Sequence, residues 1–128
     1  MTDERAPGAF PRAPVSAVGP TELFLWLLGL RKRTRVSGNS MLPTLSDGDT
    51  VLIQRATTAE SGDIVVCRHP FKSQTQLIKR VTDANSEGLF LRGDNPSEST
   101  DSESLGRIPW HHLRGRVTSR FVTKAASS

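Results

Sequence analysis

The 128-residue chain has no tyrosine, two tryptophans, five phenylalanines and a single cysteine. One cysteine, Cys67, excludes a disulfide-stapled scaffold. So thin an aromatic supply leaves few rings on which bases could stack. The net charge of +4 is nearly accounted for by Arg31, Lys32, Arg33 and Arg35, while residues 94–103 are acidic, so a primary nucleic-acid role is not expected. Long apolar runs are also missing. The longest, LFLWLLGL at residues 23–30, would reach about 12 Å as a helix against roughly 30 Å of hydrocarbon, so no transmembrane span is expected.

Bulky apolar side chains are scarce at both ends. Residues 1–20 hold four of the eight prolines and show no period, and residues 122–128 read as a polar tail. Neither stretch buries enough surface to offset the entropy of ordering. The expectation is a disordered tail over 1–20, one folded domain over 21–121, and a short tail over 122–128. Asp3 and Glu4 stand early, and the basic cluster follows the apolar run, which is the reverse of a secretory signal. Thr21 is placed to cap a short helix with Glu22 in its first turn. The run after it is apolar on all sides. It fits either a buried core element or a surface patch that docks a partner, substrate or membrane surface, with RKRTR at the boundary.

Beyond Arg35 the texture changes to short β-branched runs divided by turn signals. Val51-Leu52-Ile53 follows Asp47-Gly48-Asp49, and Ile64-Val65-Val66-Cys67 follows Ser61-Gly62-Asp63. Residues 76–81 precede a turn at 85–88, Leu89-Phe90-Leu91 leads into Gly93-Asp94-Asn95-Pro96, and residues 113–122 close the series. Short strands at this spacing predict an all-β fold, a small coiled β-barrel of antiparallel strands with a short apolar N-terminal helix.

Three places carry chemistry. Side chains alternate along a strand, so Leu77, Lys79 and Val81 share one face while Ile78, Arg80 and Thr82 share the other. A lysine pressed against Leu and Val loses solvation, which lowers its pKa from about 10.4 and makes a neutral amine available as a base. The ordinary alternative is a lysine snorkelling at a strand edge. Ser40 lies on a loop between Gly38, which permits close backbone approach, and Pro43, with Met41 and Leu42 able to pack beneath it. Serines in turns are common, so Ser40 alone proves little. Gly93-Asp94-Asn95-Pro96 is by itself an ordinary turn. His69, His111 and His112 show no metal-ligand spacing, His111-His112 reads as loop surface, and Cys67 reads as a small core residue.

Taken in order, VSGNSMLPTL, SGDIVV, IKRV and GDNPSESTDS followed by LGRI resemble the signal peptidase I family of Ser-Lys proteases. The resemblance covers about residues 35–117. The short apolar run and basic cluster before the serine box are similar to its small branch of nickel-type superoxide dismutase maturation proteases. The resemblance implies Ser40 as nucleophile, Lys79 as general base, Ser99 orienting the lysine amine, and Asp101 bracing that loop. It also implies the Ser40 N–H as one oxyanion donor. A serine that supplies a second donor in some family members is Gly38 here. Glu103 replaces the family arginine that pairs with the aspartate, leaving Arg107 or Arg92 as substitutes. The implied activity is a cytoplasmic serine endopeptidase, needing no cofactor or metal, that removes an N-terminal propeptide from the nickel superoxide dismutase precursor. The competing readings are a self-cleaving repressor-type Ser-Lys protease and a non-catalytic β-barrel module that binds a protein or membrane surface.

Overall fold

A computed structural model of the chain describes residues 13–72, 74–96 and 105–122. It contains α1 (Pro20–Leu27), β1 (Lys32–Arg35), β2 (Thr50–Arg55), β3 (Ile64–Arg68), β4 (Gln76–Asn85), β5 (Gly88–Arg92), one 3-10 turn (Trp110–His112) and β6 (Leu113–Arg120). The strands form one antiparallel sheet in the order β1-β2-β6-β3-β4-β5. The all-β reading holds. The sheet does not close into a barrel, since β1 pairs with β2 alone and no ladder joins β1 to β5 among the described residues.

β3 shows why the sheet is centred where it is. All of Ile64, Val65, Val66 and Cys67 are buried, as an apolar run without alternation requires of a strand covered on both faces. Val65 and Cys67 join Val81, Leu89, Leu91, Ile108 and Leu113 in one cluster. Ile64 and Val66 join Val36, Met41, Leu45, Val51 and Ile53 in a second. The second cluster therefore builds the floor beneath the loop that carries Ser40. At the centre of β6, a Cβ on Gly115 would lie 2.7 Å from the Gln54 carbonyl oxygen, so only glycine lets β2 approach this closely.

The N-terminal part departs from the composition reading. Residues 13–19, which that reading assigns to an unstructured end, run beside β6. The Val18 N–H donates to the Arg120 carbonyl (2.9 Å), the Arg120 N–H donates to that of Ser16 (2.9 Å), and Val15 packs on the second cluster. α1 begins two residues earlier than expected, with Gly19 as N-cap and Pro20 in the first turn, and Thr21 caps nothing. No residue of α1 is buried: Phe24 is 60% and Leu27 73% exposed. The core-element reading of residues 23–30 thus fails. The helix is held by polar and ring contacts instead. Glu22 pairs with Arg31 (3.0 Å) and accepts hydrogen bonds from Thr118 and Ser119, and Trp26 meets Phe121 edge-on at 5.4 Å. Burial pushes the Glu22 carboxyl up, but the hydrogen bonds from Thr118 and Ser119 and the Arg31 charge outweigh it and hold the group below its ordinary value.

Candidate active site

The loop after β1 is shaped by one glycine. Gly38 has φ +84°, a conformation open to glycine at little cost, and its N–H donates to Asp47 Oδ1 at 2.7 Å. That N–H is already committed, so position 38 does not offer a free second oxyanion donor. Met41 and Leu45 are buried under the loop, 1% and 0% exposed, and the Leu42–Pro43 bond is cis. Ser40 stands half-buried above them.

The loop is then clamped to β4 and to the turn after β5. The Asn95 N–H donates to the Ser40 carbonyl at 2.8 Å, and Asn95 Nδ2 donates to the Asn39 carbonyl at 3.0 Å. Thr44 Oγ1 donates to Asp94 Oδ2 at 2.5 Å. Asp94 in turn takes two hydrogen bonds from Arg80, and the Arg80 guanidinium also reaches the Gly62 carbonyl (2.9 Å) and that of Ala13 (3.1 Å). The serine loop and the strand carrying Lys79 are thereby fixed to one another through Arg80, the residue next to Lys79.

Both cations of the Lys-Arg pair are buried, Lys79 at 6% and Arg80 at 1% exposure. Lys79 is opposite Val65 and Arg80 is opposite Ile64, so the two sit at positions backed by different apolar clusters. Ser40 and Lys79 line a single cleft of about 500 Å³, whose other walls come from residues 35–37 and 74–78. The hydrogen bonds of the described residues include none between Ser40 and Lys79. The cleft is walled by the end of β1 and by residues 76–79 of β4. Among the described residues β1 pairs with β2 alone and residues 76–79 pair with β3 alone, the β4–β5 ladder starting at Arg80.

Residues 32–114 match the Peptidase S24-like family. The chain belongs to that family. Mitochondrial inner membrane protease subunit 1 of Xenopus tropicalis is 32% identical over 108 residues, covering 66% of this chain and 65% of that protein. The human protein of the same name is 29% identical over 105 residues, covering 63% of each chain. The Schizosaccharomyces pombe one is 31% identical over 108 residues, covering 66% of this chain and 69% of its own. This chain thus spans about two thirds of the length of these protease-named relatives. The Peptidase S24-like match takes in Ser40, Lys79, Arg80 and Asp94 but begins after α1. No helix of the described residues is long and apolar enough to cross a membrane.

The remaining sequence-predicted residues distribute as follows. Ser99 and Asp101 lie outside the described residues. Arg107, one suggested partner for Asp101, is engaged elsewhere: it meets Asp83 at 2.9 Å and stacks over Phe90 at 4.2 Å. His111 and His112 are not both loop surface. The 3-10 turn directs His112 inward, where Nδ1 lies 3.1 Å from the Arg68 carbonyl, and only His111 is exposed. Burial pushes the His112 ring below its ordinary pKa, with the His111, Arg68 and Arg114 charges adding to that and the Arg68 carbonyl opposing it. Cys67 is fully buried, and desolvation raises its thiol to about 12 although Arg114 pulls the other way.

Proposed function

We propose that the chain is a serine endopeptidase working through Ser40 and Lys79. In this reading the buried Lys79 amine takes the proton from Ser40 Oγ as that oxygen attacks a peptide carbonyl. The Ser40 N–H donates to the developing oxyanion. The protonated lysine then gives its proton to the leaving amine, the acyl-enzyme forms, and water attacks its ester to release the new acid and restore Ser40. Ser99 orients the lysine, and Asp101 braces the segment that carries it. The observation that carries the reading is that a buried lysine and a half-buried serine both line one cleft, on two segments locked together through Arg80 and Asp94. A peptide lying between β1 and residues 76–79 would add a strand to edges that carry no second ladder among the described residues, a way to hold an extended propeptide without a deep pocket.

The substrate we propose is a partner protein with an N-terminal extension, the nickel superoxide dismutase precursor being the one the sequence resemblance points to, processed in the cytoplasm. Incubating the purified protein with that full-length precursor and sequencing the new N-terminus tests both points. Defined cleavage supports the reading, an intact precursor removes the substrate, and failure to cut any extended protein removes the activity. The exposed face of α1, with Arg33 lying over Trp26, supports contact with an anionic membrane surface during that work.

A further inference from the structure

A second cavity, of about 400 Å³, adjoins residues of the Ser40–Lys79 cleft. The two share Gln76, and both are walled by successive parts of one chain segment, residues 29–34 in this cavity and residues 35–37 in the cleft. Its lining is strongly basic: Arg31, Lys32, Arg55 and Arg114, with no acidic residue. Arg31 is neutralised by Glu22 at 3.0 Å. The other three have no carboxylate partner among the described residues, and Arg114 donates only to the backbone carbonyls of His111 and Leu113. Three exposed cations lining one concavity without a counter-charge make it a place where a ligand carboxylate is favoured.

We infer that this cavity is a specificity subsite for an acidic side chain of the peptide being cut. The inference rests on the proteolytic reading for its substrate, but its binding chemistry does not depend on cleavage. Lys32 and Thr34 point to one face of β1, the face shared by Ile53, and all three line the cavity. A strand added along β1 would bring a side chain to them about 10–17 Å from the cleft wall at Ser37, about three to five strand residues away. Aspartate or glutamate there would meet Lys32, Arg55 and Arg114, whereas a neutral residue would leave them facing solvent.

The test is a binding measurement on Ser40→Ala protein, so that no bond is cut. Fluorescein-labelled, extended alanine- and serine-rich peptides carry one Glu moved along the chain, each with a Gln twin, and are titrated by anisotropy at low salt. At the matching position the Glu peptide binds about five- to tenfold more tightly than its twin. That ratio falls below twofold in the Lys32→Gln/Arg55→Gln variant and shrinks as salt is raised. Neither side chain makes a hydrogen bond among the described residues, so the variant keeps the fold, which circular dichroism checks. Equal binding of every Glu–Gln pair, no binding of either, a preference that survives the double variant, or tighter binding of a labelled single-stranded oligonucleotide would each overturn the inference. A charge preference without peptide cleavage by the Ser40-intact protein would keep the subsite and remove the protease.

Discussion

Arg80 and Asp94 are joined by two charge-assisted hydrogen bonds, Nε to Oδ1 at 3.0 Å and a terminal guanidinium nitrogen to Oδ2 at 2.8 Å, with side chains 2% and 0% exposed. A buried pair of this kind is not strong evidence of net stability, but removing one partner leaves an uncompensated charge in the interior. Here the pair also carries the serine loop, through Thr44 and Asn95.

Asp94→Ala should therefore cost about 3–5 kcal/mol of unfolding free energy, the range for breaking a buried ion pair. Thr44→Val, which removes one hydrogen bond to the same carboxylate, should cost about 1–3 kcal/mol. Urea unfolding of the two variants checks this. A loss below about 1 kcal/mol for Asp94→Ala would mean the pair is solvated.

The depressed His112 pKa fixes a sign for pH. Its folded value lies below the unfolded value of about 6.5, so its contribution to stability is present above that pH and is lost as pH falls through the folded value. Urea midpoints at neutral and mildly acidic pH should drop further for the wild type than for His112→Gln. Equal drops would reject the assignment. Glu22, also depressed, acts in the separate, more acidic carboxylate range.

Cys67 should be inert while the protein is folded. With its thiol raised to about 12, only about one molecule in ten thousand is thiolate near pH 8, and the sulfur is buried as well. Iodoacetamide should label it only after denaturation. Full labelling of the native protein within minutes would contradict the burial.

The outer face of α1 makes a prediction about surfaces. Leu27→Glu with Leu28→Glu should abolish cosedimentation with vesicles containing phosphatidylserine and leave thermal stability nearly unchanged, because both side chains are mostly exposed. Vesicle binding that is absent in the parent protein would remove the membrane reading.

Much of the fold was readable because the β-branched runs at β2, β3, β4 and β5 alternate or saturate with apolar residues and are punctuated by Gly-Asp turns. β1 was not, since Lys32, Arg33, Thr34 and Arg35 carry no apolar pattern and gain their conformation from pairing with β2. The burial of Lys79 was legible in the alternation of residues 77–81, and the loop position of Ser40 in its flanking Gly38 and Pro43. Arg80, Asp94, Asn95 and Thr44 were missed as the framework of the site. Gly-Asp-Asn-Pro reads as a turn until the β4–β5 register brings Asp94 back to Arg80, a relation with no local signature. The strand alternation at Lys79 and Arg80 did hold a signal: a second adjacent cation on the opposite, also covered face must find a carboxylate. The inward His112 was hidden for a similar reason, because a 3-10 turn rather than a strand or open loop sets its direction.

The most direct test of the central claim compares processing of the full-length precursor by the parent protein, Ser40→Ala and Lys79→Ala, each confirmed to be folded, with the new N-terminus sequenced. Each variant should lose at least about a thousandfold in rate, as expected when members of one catalytic unit are removed singly. Processing by either variant at the same bond within about tenfold of the parent rate would contradict the Ser40–Lys79 mechanism.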